Sequence, residues 1–345
     1  MTLTSIRRSW MWAVGIVAIA AIISSACGGG GETSADATPL PGTGPLKFVD
    51  NGWETNKVAS AIMMYIVEKG YDTETEFVTP ANQEEFQEMI TDGRADVIME
   101  AWGREYQKWY NITEQREFIG DRGAVYEDGH AGWFIPTAIV EANPGIEKVE
   151  NLADFADVLG GQFISCPTAW PCANHNQIKL DTYGLSGAFT TVNPESYEAL
   201  EQTLTDAGAA GEAIIGYFRE PSYLLQSQDW TRIEEPPANQ LCWARVNNFI
   251  DGKRDSIDEH CEYQKEDVIT ALYRGVYGTR AKMPPLFFKM TMGQEALMAT
   301  VVHHNDTAGT LEQAAIHFLT NNDAAWRGWV EADAATKIDA ALAGS

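Results

Sequence analysis

Residues 45–102 read PLKFVDNGWETNKVASAIMMYIVEKGYDTETEFVTPANQEEFQEMITDGRADVIMEAW, and the spacing of the apolar residues in that stretch sets the architecture. Leu46 to Val49 is a short apolar strand. Gly52-Trp53 then turns the chain into a helix whose Val58, Ile62 and Ile66 recur at i, i+4 and i+8, and Gly70 stops it. Thr73 to Val78 alternates as a second strand. Phe86, Met89 and Ile90 mark a second helix stopped by Gly93, and Asp96 to Glu100 form a third strand that ends at Trp102. Strand, helix, strand, helix, strand is the pattern of a mostly parallel sheet covered by helices.

Working outward, a second cycle follows the Pro136 to Pro144 region. The spacing predicts a helix over 151–159, a strand over 162–166, a helix over 173–183 and a strand over 189–192. Tyr197, Leu200 and Leu204 make one helix face, Ala213 to Phe218 a buried strand and Thr231 to Glu234 an edge strand. From Lys265 to the end the pattern reads as helical, beginning with Val268, Leu272 and Val276. Two α/β units in one chain leave a cleft between them, with ligands expected at the carboxyl ends of strands.

The 345 residues suffice for two domains, with 45% apolar and 10% aromatic residues to bury. Lys and Arg number 24 against 49 Asp and Glu, a formal charge of −25, which disfavours nucleic acid as a partner. Residues 1–26 hold no acidic residue; Arg7 and Arg8 precede an apolar run from Met11 to Ile23, the length of a signal-peptide core and too short for a bilayer anchor. Ser24-Ser25-Ala26-Cys27 then resembles a lipoprotein processing site that leaves Cys27 first and lipidated. The Gly-, Ser-, Thr- and Pro-rich stretch to Gly44 is a flexible tether with a reach of roughly 20 Å. Expected limits are therefore a leader over 1–26, a tether over 27–44, a first lobe over 45–136 with 261–345, and a second lobe over 137–260.

Four further cysteines, Cys166, Cys172, Cys242 and Cys261, read as disulfides in an exported chain. Three pairings exist in principle; close spacing favours Cys166 with Cys172, leaving Cys242 with Cys261. A nucleophilic cysteine with His175 as base is the competing enzymatic reading. Metal binding by His260, His303 and His304 is a weaker one, because adjacent side chains on a helix diverge.

Trp102, the Cys166 to Cys172 loop containing Trp170, and Tyr217-Phe218-Arg219 each follow a strand and converge where the cleft belongs. Indole faces attract weakly hydrated cations, quaternary ammonium above all, at about 0.5–2 kcal/mol per contact. The Cys172 N–H is placed to meet a carboxylate. Trp53, Trp133, Trp230, Trp243, Trp326 and Trp329 read instead as core or cleft wall.

The chain resembles the substrate-binding proteins of glycine betaine and proline betaine ABC importers, in the branch with a Cys-x5-Cys tryptophan loop. The residues that carry the resemblance are Gly93-Arg94-Ala95-Asp96-Val97 leading to Glu100-Ala101-Trp102, Gly132-Trp133-Phe134-Ile135-Pro136, and Cys166-Pro167-Thr168-Ala169-Trp170-Pro171-Cys172 followed by Asn174-His175. Met283-Pro284 and Ala314-Ala315 to Trp329 also fit. It implies an α/β, two-lobed periplasmic-binding-protein fold of type II-like form, with the ligand cleft between the lobes. It further implies an extracytoplasmic, lipid-anchored solute-binding protein that delivers a small zwitterion to a permease with a separate ATPase. No enzyme activity, cofactor or metal is expected; a ligand-sensing receptor domain of the same fold is the alternative.

In that family three Trp box the trimethylammonium group and backbone donors of the Cys loop hold the carboxylate. Trp102 matches the first Trp and Trp170 the second. Where the third stands in a Trp-x-Pro motif, this chain has Arg219-Glu220-Pro221, and Pro171 lacks the N–H of the usual Gly donor. An Arg about 4 Å from a ligand cation costs on the order of 4 kcal/mol at an effective dielectric near 20. Arg219 is therefore expected away from the ammonium, either clamping a carboxylate with Tyr217 or Phe218 as third aromatic wall, or paired with Glu220 outside the cleft. A different carboxylate-bearing solute is the alternative ligand. The expected ligand-binding set is Trp102, Trp170, Cys172, His175, Tyr217, Phe218 and Arg219.

Overall fold

The computed structural model describes residues 44–103 and 119–345. The leader, most of the tether and Cys27 lie outside the described residues. No helix among those described is long and apolar enough to cross a membrane.

Among the described residues nine strands form the frame: β1 (Leu46–Val49), β2 (Thr75–Val78), β3 (Val97–Ala101), β4 (Ile119–Pro136), β5 (Gln162–Ile164), β6 (Thr190–Val192), β7 (Ile215–Glu220), β8 (Trp230–Arg232) and β9 (Glu266–Tyr273). Their order is β2-β1-β3-β9-β4-β7-β5-β6, with β8 beside β4. Within each half the βαβ crossovers give the expected parallel pairs: β1 with β2 and β3, and β5 with β6 and β7. The sheet as a whole is mixed rather than mostly parallel, because β4 and β9 run antiparallel to their neighbours.

The strand β9 corrects the helical expectation for its segment. Val268 and Leu272 are four apart, a spacing that puts them on one face of a helix and equally on one face of a strand. Val268, Thr270 and Leu272 are all fully buried, the period of two that a strand requires, and β9 closes the gap between β3 and β4.

The 18-residue β4 belongs to both halves. Up to Gly129 it pairs with β9, and from His130 onward with β7 and β8. Asp128 adopts a positive φ of 59° at the change of partner, an irregularity of the kind that re-aims a strand. Gly129 is required there: a Cβ would stand 2.6 Å from the Val268 side chain and 3.0 Å from the Trp102 ring.

Each half buries its own core. One gathers Phe48, Ile62, Val97, Met99, Phe318 and Trp326; the other gathers Trp133, Phe163, Leu200, Leu204, Ile215 and Val246. The helix Glu54–Tyr71 presents Val58, Ile62 and Ile66 to the first core as its spacing predicts, running past Gly70 to Asp72 in the left-handed region. In the second half Ser196 caps the helix Tyr197–Ala210 by accepting from the Ala199 N–H, and Gly211 ends it at a φ of 69°.

Both disulfides form as expected, Cys166–Cys172 and Cys242–Cys261. The thiol-nucleophile reading ends there, since both candidate sulfurs are bonded to each other. Among the described residues no three His, Cys, Asp or Glu side chains cluster as metal ligands.

Candidate functional site

Four chain segments from the two halves bring the site together. Gly52 and Trp53 follow β1; Glu100 and Trp102 end β3; Tyr197 opens its capped helix; Tyr217, Phe218 and Arg219 lie on β7. All of them line one pocket, with Glu54, Thr55, Leu200, Glu201, Ser222 and Tyr223 around it.

At its centre is the Arg219 guanidinium. The guanidinium carbon lies 4.1 Å from the ring centroid of Trp53, 4.8 Å from that of Trp102 and 5.4 Å from that of Tyr197. The three rings stand roughly perpendicular in pairs, Trp53 against Trp102 at 6.3 Å and against Tyr197 at 5.2 Å, so their faces surround one point. Arg219 Nε donates to the Tyr217 hydroxyl at 2.9 Å, and Nη2 donates to the Tyr197 hydroxyl at 3.1 Å. Alternation along β7 puts Arg219 and Tyr217 on one face, while Glu220 lies outside and pairs with Arg232. The expected pairing of Arg219 with Glu220 is thus not formed, and Arg219 is buried at 7% exposure.

Among the described residues β3 contributes a carboxylate, Glu100, to this pocket. Glu100 is buried, its carboxylate accepting from the Thr55 and Tyr126 hydroxyls at 3.2 Å each. Burial pushes it up to about 7, against the pull of those two hydrogen bonds and the Arg219 charge. At the edge of the pocket Glu201 is also pushed up to about 7, by burial and by the charges of Glu54 and Glu198. The site combines soft aromatic faces, a cation among them and two carboxylates raised by burial.

The other residues expected from the sequence lie beside this pocket. Trp170 caps the helix Pro171–Thr182 and packs on Tyr197 at 5.6 Å and on Phe86 of the opposite half at 6.4 Å. Cys172 places its sulfur 3.2 Å from the Tyr197 hydroxyl. Both support the ring of Tyr197 from behind. His175 lines a second, smaller cavity with Trp102, Tyr217, Trp243 and Tyr263, where burial, then the Lys179 charge, lowers it to about 4. It is a neutral aromatic wall at ordinary pH.

Trp53, which reads from the sequence as core or cleft wall, lines the pocket, as do Tyr197 and Glu100, to which the sequence reading assigns no binding role. For Trp53 the signal was present, since it follows the carboxyl end of a strand as Trp102 does. Glu100, an acid inside the apolar run Val97-Ile98-Met99, was also conspicuous. Nothing local marks Tyr197, which reads as one position of an amphipathic helix.

The fold has clear relatives. The glycine betaine and L-proline binding protein of an ABC transporter from Borrelia burgdorferi superposes with a TM-score of 0.69 at 16% identity, covering 86% of this chain and 100% of that one. An ABC-transporter choline-binding protein in complex with choline gives 0.67 at 15% identity, over 86% and 98%. A lactococcal protein in its closed form with glycine betaine gives 0.66 at 12% identity, over 84% and 100%. At such identities these likenesses establish the two-lobed substrate-binding fold. No curated protein sequence matches the chain. A family model does match, over residues 44–320, and its members are extracytoplasmic components that bind a small ligand and work with a permease and an ATPase. By that match the chain belongs to the family described as the substrate binding domain of ABC-type glycine betaine transport systems.

Proposed function

We propose that this chain captures a small zwitterionic quaternary-ammonium solute of the glycine betaine type between its lobes and presents it to the permease. The observation that carries this is the position of the Arg219 guanidinium on the faces of Trp53 and Trp102. A soft, weakly hydrated cation is stabilised at that point, and a quaternary ammonium group has the same requirements. Trp53, Trp102, Tyr197 and Phe218 supply the apolar walls, Glu100 the countercharge, and Arg219 with Tyr217 the donors for a carboxylate. Trp170, Cys172 and His175 hold those walls in place. Closure of the lobes excludes water and strengthens each of these contacts.

The protein is a binding component without catalytic activity, held at the outer face of the cytoplasmic membrane through a lipid on Cys27. The lobes meet at the β4 and β9 crossings. A carboxylate-bearing solute lacking the ammonium group is the second reading, favoured by the same guanidinium. Calorimetry on the full chain with glycine betaine, proline betaine, choline, carnitine, ectoine and ordinary amino acids tests both. Micromolar binding confined to the betaines supports the first reading. Binding only of carboxylates with primary or no amines supports the second, and no binding in the panel rejects both.

A further inference from the structure

The second cavity, which shares Trp102 and Tyr217 with the first pocket, holds a polar group that recognition of an ammonium and a carboxylate leaves unused. His175 lies at 6% exposure on the helix Pro171–Thr182, and its Nδ1 has no hydrogen-bond partner among the described residues. Its ring packs 5.4 Å from the Trp243 ring centroid and 6.3 Å from that of Tyr263. A buried polar atom left unmet costs free energy, and in a cavity wall that cost is recovered when an occupant supplies the partner.

The polar atoms of the neighbouring rings are already engaged. Trp243 Nε1 donates to the Glu262 carbonyl at 3.0 Å, the Tyr263 hydroxyl donates to Asn176 Oδ1 at 2.8 Å, and the Tyr217 hydroxyl accepts from Arg219 Nε at 2.9 Å. Gln264 and Glu266 also line the cavity, each with interactions of its own. What the rings and Ala131 offer an occupant is carbon surface, so it needs an apolar body with a small polar group at the imidazole. Burial, then the Lys179 charge, keeps that imidazole neutral, with one N–H and one bare nitrogen. A hydroxyl suits either, accepting from the first or donating to the second. An ammonium donor suits only the bare nitrogen and meets the Lys179 charge there. Resting on the reading of the first pocket as a quaternary-ammonium site, we propose that the second cavity is a hydroxyl subsite, with His175 the specificity-determining residue that favours zwitterions carrying a hydroxyl.

Carnitine and γ-butyrobetaine differ only by a hydroxyl, so calorimetric titration of the full chain with the two, and with glycine betaine, tests this. The wild type is expected to bind carnitine about fivefold more tightly than γ-butyrobetaine, the size of one neutral hydrogen bond. In His175→Phe the ratio falls to about one while the γ-butyrobetaine affinity stays within about twofold of wild type. His175→Gln, which keeps a donor and an acceptor, is expected to retain a preference for carnitine. The imidazole nitrogen resonances of His175 in the wild type, expected to shift with carnitine and not with γ-butyrobetaine, give a readout that needs no variant to fold. Equal wild-type affinities, an unchanged ratio in His175→Phe, or an equal loss of both solutes there overturns the proposal. So does wild-type binding of glycine betaine alone. Those results leave the quaternary-ammonium reading intact, whereas failure of the wild type to bind any of the three removes that reading and the hydroxyl subsite with it.

Discussion

Trp53 and Tyr197 meet edge to face across the cleft, ring centroids 5.2 Å apart and planes at 88°, although one opens a helix of the first half and the other a helix of the second. The Lys57–Glu198 ion pair at 3.0 Å and the Tyr223 hydrogen bond to Asp306 cross the same gap. The exposed ion pair contributes little. The aromatic contact beside Arg219, half-buried on the Trp53 side, is the one expected to couple closure to binding.

Replacing either ring therefore loosens both cage and closure. Trp53→Ala is expected to weaken glycine betaine binding at least tenfold, about 1.4 kcal/mol, and Trp102→Ala by a similar factor. Trp170→Ala, acting through the ring of Tyr197, is expected to have the smaller effect. Titration followed by tryptophan fluorescence gives the three constants. Equal affinity in wild type and Trp53→Ala removes this residue from the site.

Lys179 and Glu235 form an ion pair at 2.6 Å with both side chains sealed from solvent, and the ammonium lies 4.2 Å from the Tyr263 ring centroid. Burial lowers the lysine and the Glu235 charge opposes that. Breaking a buried pair on one side leaves an uncompensated charge, a loss of about 3–5 kcal/mol. Urea unfolding of Lys179→Met is expected to show a loss of that size, with most of it recovered in Lys179→Met combined with Glu235→Leu. A loss below about 1 kcal/mol in the single variant shows the pair to be dispensable.

Glu201 gives a pH signature with a definite sign. Its folded value near 7 lies above the ordinary 4.5, so the folded state holds the proton more tightly between those values. Its contribution to stability consequently falls as pH rises from about 4.5 to 7 and stays low above that. Buried His175 and His260, lowered to about 4 and 3 from 6.5, act oppositely, their contribution declining as pH falls below 6.5. The difference between wild type and Glu201→Gln isolates the carboxylate: the melting temperature of the variant should exceed that of the wild type by more at pH 8 than at pH 5. A constant difference across that range refutes the assignment.

The Cys242–Cys261 bridge spans 19 positions, and loop closure of that length contributes about 3 kcal/mol on the chain-entropy model. Cys166–Cys172 spans 6 and contributes about 2 kcal/mol on the same model. The double alanine variant at 242 and 261 is expected to lose the larger amount in urea unfolding and to retain solute affinity. The variant at 166 and 172 should lose less stability but weaken binding, because Cys172 abuts Tyr197. The reverse order of affinities disproves that support role.

Local sequence determined the alternation of strands and helices over residues 45–102, the capped helix beginning at Tyr197 and the pairing of cysteines close in the chain, because each depends on periodicity or contour distance. It also determined the family, through short motifs at Trp102 and the Cys loop. Tertiary structure decided the rest. The segment 266–273 satisfied a helix and a strand equally by its i, i+4 spacing, and only the open edges of β3 and β4 selected the strand. The sequence left Arg219 either clamping a carboxylate or paired with Glu220; Glu220 pairs with Arg232 instead, and the Arg219 guanidinium lies among the rings of Trp53, Trp102 and Tyr197, from three distant segments. A buried guanidinium is stabilised by whatever faces and hydroxyls the fold assembles around it, and no spacing along the chain encodes that assembly.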